Sequence, residues 1–279
     1  DALTKPIRVT ASYKVGENKD DIPLNELNLV IRKGLGPFWL GIDPGTSASC
    51  IAGGDQLNNI ELVKFHDKYV IPSLVSIRPN YKMTGEKKGL IEYTDGIACG
   101  EEAALLMRAN RERTFYSAKK LIGYKFKRDI QINGSIISVT GQDVVKILSD
   151  YLIKEASRFF KNQRQGVQIN KAVVAIPNNF TPLKIRKMVD AVRSSSTIEK
   201  VYHVYEAEAV TLYYLSNYVT FNEKRTDKIP AGVRENILVF DFGGGTINVS
   251  IIGLTRPISR SSNTEIEIFL PFLGFETLE

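Results

Sequence analysis

Residues for soft-metal or thiol chemistry are scarce in this sequence. In 279 residues there are two cysteines, Cys50 and Cys99, two histidines, His66 and His203, and one tryptophan. The cysteines lie far apart and no Cys-x-x-Cys occurs, which argues against a zinc site or a disulfide framework and fits a reducing compartment. Each histidine stands alone, as structural histidines do. No apolar run reaches the length of a membrane span, and no secretory signal is present. Fixed-period repeats and low-complexity tracts are also missing.

What is present describes a globular protein: 43% hydrophobic and 24% charged residues, enough for one large or two smaller domains. The formal charge is +6, and much of it is local. Residues 108–128 carry Arg108, Arg111, Arg113, Lys119, Lys120, Lys125, Lys127 and Arg128 against Glu112 alone. Such a run reads as a solvated face or, alternatively, as the footprint of an acidic partner such as RNA. Strands are expected around 40–53, 60–66, 70–78, 171–176 and 200–204, with helices after Thr181 and over 206–218. Over 142–163, Val144, Leu148, Tyr151, Leu152, Ala156 and Phe159 form the apolar stripe of a helix.

The chemistry is marked by aspartates and glycines. In "ENILVFDFGGGTINVSII" (235–252), the apolar residues Ile237 to Phe240 run into Asp241 and then Gly243, Gly244 and Gly245. Branched and aromatic residues in such a run predict a strand covered on both faces. The glycines let backbone amides approach an anion closely, or simply turn the chain back in a hairpin. Neither Gly-Lys-Ser/Thr nor a helix follows, so this is no Walker A loop. "FWLGIDPGTSASCIAG" (38–53) repeats the layout with Asp43, Gly45, Thr46 and Ser47, 198 residues earlier (241 − 43). Two hairpins of this kind suit a polyphosphate with magnesium. Amides and hydroxyls meet phosphate oxygens, while carboxylates hold the hydrated cation. Two unrelated hairpins would explain the pattern without a ligand.

These segments resemble the phosphate loops of the seventy-kilodalton heat-shock chaperones of DnaK type. "YSAKKLIGYKFKR" (116–128), "INKAVVAIPNNFTPLKIRKMVDAV" (169–192) and "VYHVYEAEAVTLYYL" (201–215) are similar to further family segments, in the family's order. The resemblance implies an α/β, actin-like ATPase fold: ribonuclease-H-like mixed sheets flanked by helices, one full lobe and part of a second. It implies lobe I at 38–219, a connector at 220–236 and partial lobe II at 237–279. Residues 1–37 match nothing in the family and read as an extension with strand-like halves. The implied ligands are ATP or ADP and Mg2+. Asp43 and Asp241 would hold the metal, through water, and the attacking water. Gly45, Thr46, Ser47, Gly243, Gly244, Gly245 and Thr246 would cradle phosphates. Lys119 would reach the γ-phosphate region, and Glu206 would order the metal's waters; with the two aspartates they form the catalytic set.

The pattern also breaks. Asn248 stands where the family has an acid that helps bind potassium, so that ion should be held weakly. Ala48 replaces an aromatic residue, and Ala207 replaces a proline of the switch between lobes, although Pro177 is kept. The last residues, "FLPFLGFETLE", resemble a mid-domain family segment, so the expectation is either a longer polypeptide or a reduced relative with little hold on adenosine. Two functions stay open. One is Mg-dependent ATP hydrolysis driving protein folding or assembly, with protein clients or co-chaperones as partners. The other is a non-catalytic scaffold in a larger assembly, such as an organellar ribosome or other ribonucleoprotein, docked through 108–128 and 1–37. A filament-forming actin-like protein fits Lys119 and Glu206 less well. The compartment reading favours the mitochondrial matrix or another organelle over the cytoplasm.

Overall fold

The computed structural model describes residues 7–11, 27–31, 38–55, 60–81, 96–163, 167, 169–194, 198–221, 234–245, 247–255 and 272–278. Near the N-terminus, β1 (Ile7–Ala11) and β2 (Leu27–Ile31) pair antiparallel as a ribbon of their own. The polar stretch between them lies outside the described residues, as does most of the expected connector, 222–233.

The main sheet is built on β3 (Phe38–Asp43) and β4 (Ala48–Gly54), an antiparallel hairpin. β5 (Glu61–Leu62) and β6 (Ile71–Pro72) add short pieces to β4. The long strands expected over 60–66 and 70–78 are thus broken, and β7 (Leu74–Ile77) leaves for a second sheet. There it lies between β8 (Ile97–Cys99) and β9 (Thr114–Tyr116). Between those two strands runs the short helix α1 (Gly100–Leu106), and after β9 comes α2 (Ala118–Leu121). The ribbon of β10 (Lys127–Ile132) and β11 (Ser135–Thr140) then leads into the long helix α3 (Gly141–Gln163).

α3 starts where Thr140 and Asp143 cap one another. The Thr140 N–H donates to Asp143 Oδ2 at 2.8 Å, and the Asp143 N–H to Thr140 Oγ1 at 3.2 Å. Its buried stripe is Val144, Leu148, Leu152, Ala156 and Phe160, lying against Phe38, Leu40 and Ile42 of β3. Phe160, not the expected Phe159, occupies the core and meets Phe38 edge-on at 4.8 Å; Phe159 and Tyr151 are only half-buried beside it. A stripe drifts in this way along a long helix because its turn does not repeat on a whole number of residues.

β12 (Ile169–Ile176) joins β3 in parallel, and β13 (Lys200–Tyr205) joins β12 in parallel through the crossover helix α4 (Pro182–Arg193). Thr181 caps α4 and Pro182 opens it, a position where the missing N–H costs nothing. α5 (Glu206–Phe221) follows β13 directly. It packs on a separate three-stranded antiparallel sheet of β14 (Arg234–Phe242), β15 (Ile247–Thr255) and β16 (Phe272–Leu278).

β14 corrects one expectation. Ile237 and Val239 pack with Ala207 and Ile252, but Leu238, Phe240 and Phe242 on the opposite face are exposed. The strand is covered on one face only among the described residues, because α5 supplies a single layer.

Candidate functional site

The sequence-matched hairpins fold alike. In each, the aspartate pairs across the ladder with the residue seven positions on: Asp43 with Cys50, and Asp241 with Asn248. Their turns meet. A side chain on Gly244 would lie 2.6 Å from Ser47 Oγ, and one on Gly245 would lie 3.0 Å from Thr46 Cγ2. Only glycine at 244 permits this approach. Lys120 adds a direct tie, its Nζ donating to the Gly245 carbonyl at 2.7 Å. Gly243 lies on the exposed turn, and Thr246 lies outside the described residues.

Ser73 holds the first turn from behind. Its hydroxyl donates to the Gly45 carbonyl at 2.7 Å, its N–H donates to the Ser47 carbonyl at 2.9 Å, and its Oγ lies 2.7 Å from that of Ser49. Sequence reasoning passed over Ser73. The available signal was a lone serine between Pro72 and the apolar strand that follows.

Lys119 sits at the centre. It is 5% exposed, ion-paired with Glu206, and its Nζ is 3.6 Å from Asp43 Oδ1. Ser117, two residues before it, adopts a left-handed backbone (φ 54°) that sets the short turn of α2. Strain of this kind persists where the surroundings over-determine it, often at functional sites. The solvated-face reading of Lys119 is therefore replaced by a buried, charge-compensated one.

Glu206 opens α5, and the N–H of Tyr205 donates to Glu208 Oε2 at 3.2 Å, which caps that helix start. Burial pushes the Glu206 carboxyl above its ordinary range. The Lys119 ammonium offsets part of this, while the charges of Asp43 and Asp241 add to it. All three predicted carboxylates thus act on one small region. Burial and the Asp43 charge also push the Cys50 thiol up to about 11, so it stays protonated and unreactive.

Two of the expected departures have visible consequences. Asn248 Nδ2 donates to Asp241 Oδ2 at 3.4 Å, so the amide faces the carboxylate as a neutral partner. The Ala207 N–H donates to Asn178 Oδ1 at 3.3 Å, a bond that a proline at 207 could not make. It ties the start of α5 to the turn after Pro177.

A family model described as "Hsp70 protein" matches residues 39–270, most of the chain. The chain belongs to the Hsp70 family. Its mixed sheets and flanking helices are those of the Hsp70 actin-like ATPase fold. Among curated Hsp70 relatives, the chaperone protein DnaK of Ureaplasma urealyticum serovar 10 is 27% identical over 216 residues, covering 77% of this chain and 30% of the relative. DnaK of Thermotoga maritima is 28% identical over 234 residues, covering 82% and 33%. A ribosome-associated molecular chaperone of Nakaseomyces delphensis is 24% identical over 253 residues, covering 81% and 36%. The chain spans about a third of the length of these Hsp70 relatives. No helix among the described residues is long and apolar enough to cross a membrane.

Proposed function

We propose that this chain forms the phosphate-handling part of an Hsp70-type ATPase, binding ATP or ADP with magnesium and coupling hydrolysis to the folding or assembly of protein clients. The observation that carries the reading is the meeting of two glycine-bearing turns beside a buried, carboxylate-paired lysine. Thr46 and Ser47 offer hydroxyl donors, and Gly45 and Gly243 to Gly245 leave their backbone open to an anion, with Thr246 as a further donor. Lys119 supplies positive charge at a position shielded from solvent, where it is worth more than on a surface.

The donor set fits a hydrated magnesium ion. Asp43 and Asp241 present carboxylate oxygens from opposing hairpins, and among the described residues no three His, Cys, Asp or Glu side chains cluster closely enough to ligate a metal directly. When bound, magnesium would neutralise charge on the phosphate oxygens. Glu206, whose carboxyl burial pushes above its ordinary range, can accept a proton at its carboxylate and orient water. Asn248 brings an amide rather than a second acid to Asp241, which supports weak potassium binding.

Nucleotide binding and turnover by the full-length protein test this reading. Binding at millimolar ATP and magnesium is expected, with hydrolysis lost in Asp241→Asn; no binding under those conditions overturns it. The neutral Asn248 beside Asp241 and the non-proline Ala207 at the start of α5 favour a second reading, a non-catalytic scaffold. Salt-sensitive co-sedimentation with RNA-rich particles and no turnover would support that role, whereas a free protein with normal turnover would refute it.

A further inference from the structure

A cleft of about 710 Å3 adjoins the first turn; it shares Thr46 and Ser47 with the phosphate cradle, and the rest of its lining has no part in the reading above. Thr46, Ser47, Arg108, Arg111, Tyr116 and Ser117 line it, with Leu74 and Met107 among its apolar walls. Among the described residues, no aspartate or glutamate lines it.

The two arginines are the unusual feature. Most cations of the 108–128 run are already engaged. Lys119 pairs with Glu206, and Lys120 bonds to the Gly245 carbonyl. Arg113 donates to the Gln131 carbonyl, Arg128 donates to the Thr114 carbonyl, and Lys127 pairs with Asp129. Among the described residues, the guanidinium groups of Arg108 and Arg111 make no hydrogen bond or ion pair. Both border the same cleft, together with the hydroxyls of Thr46, Ser47 and Ser117. Two of these contacts are ion pairs and the others are hydrogen bonds to carbonyls, so the run keeps most of its positive charge. Arg108 and Arg111 stand apart as its two guanidinium groups with no hydrogen-bond partner among the described residues.

We propose that Arg108 and Arg111, with the hydroxyl of Ser117, bind a single phosphate group at a site beside the nucleotide cradle. A guanidinium fork matches two oxygens of a tetrahedral dianion, and a hydroxyl can donate to one that remains. An extended polyanion would instead also engage the exposed Lys120, Lys125 and Lys127, and would show this as a steep salt dependence. The phosphate group has two possible sources, free inorganic phosphate or a phosphorylated side chain of a partner.

The test is binding of inorganic phosphate to the full-length protein, followed by calorimetry or by 31P line broadening, first without nucleotide and then with ADP and magnesium saturating. Millimolar binding is expected, weakened at least tenfold in Arg108→Ala/Arg111→Ala and unchanged in Lys125→Ala, which removes one exposed charge outside the cleft. The double variant should keep its unfolding midpoint and its affinity for ATP. A phosphoserine peptide that binds more tightly than phosphate, with the same dependence on the arginines, identifies a phosphorylated partner as the source; equal or weaker peptide binding identifies free phosphate. The proposal is overturned if phosphate fails to bind at tens of millimolar, or if the double variant binds it normally. It is also overturned if short RNA displaces phosphate with a steep salt dependence, the sign of a many-phosphate surface. Failure of the nucleotide reading is separable, because loss of ATP binding would leave this arginine-dependent phosphate signal, measured without ATP, in place.

Discussion

The two hairpins share a sequence grammar and an aspartate register, yet they bury opposite faces. In β3, Phe38, Leu40 and Ile42 are buried under α3, while the face of Trp39, Gly41 and Asp43 stays partly open. In β14, the residues in step with Asp241, Ile237 and Val239, pack on α5, and Leu238 and Phe240 point away from it. Leu40 and Leu238 stand three residues before their aspartates; one is 0% exposed and the other 63%. The lesson is that an apolar strand-and-turn specifies a local shape, and the helix that happens to pack on it selects the covered side.

The comparison can be broken most severely at the aspartates' neighbours. Lys119→Met should destabilise the protein by about 3 kcal/mol, because Glu206 is left buried without its cation. Asn248→Ala, at the equivalent flank of Asp241, should cost about 1 kcal/mol or less. Denaturant midpoints decide the matter, and equal losses would mean the two carboxylates are held alike. Next come the matched leucines: Leu40→Ala should cost about 3 kcal/mol. Leu238→Ala should stay within about 0.5 kcal/mol. A large loss at Leu238 would show its face covered in the full-length protein.

Gly244→Val probes the contact between the hairpins and should cost about 2 kcal/mol through overpacking against Ser47, with recovery on adding Ser47→Gly. Ser73→Ala, which frees only the first turn, should cost about 1 kcal/mol and weaken ATP binding more than it lowers the unfolding midpoint. The smallest effect is a titration. Because the Glu206 carboxyl is held above its ordinary 4.5, its favourable contribution is complete below about pH 4.5 and is lost as pH rises through the folded-state value. Glu206→Gln should flatten stability against pH above that point. Asp43→Asn and Asp241→Asn should each lower the Glu206 value, seen by carbon NMR, with the larger shift from Asp43.

Much of the site was legible in local sequence. Asp43 and Asp241 after apolar strands, and glycines at 45 and 243 to 245, followed from residue type and spacing alone. Thr181 announced α4, and the stripe of α3 was correct except at its two aromatic residues, Tyr151 and Phe159, which are only half-buried. Lys119 and Glu206 could be assigned only by family resemblance, since each reads locally as a surface charge. Ser73 left only a faint signal, its place between Pro72 and an apolar strand, and Lys120 and Asn178 left none. Each acts through a backbone atom of a distant segment, and a hydrogen bond to a carbonyl or amide leaves no trace in the partner's residue type.

Composition and spacing by themselves determined that this chain alternates strands with helices and carries two aspartate-headed, glycine-rich turns. Those features are local: strand propensity, turn chemistry and periodicity all operate within about ten residues. Only the tertiary structure decided that the turns touch, that Lys119 is buried between carboxylates, and that Arg108 and Arg111 find no partner among the described residues. Burial and charge pairing depend on which distant segments arrive at the same place, and that is settled by packing rather than by any one stretch of chain.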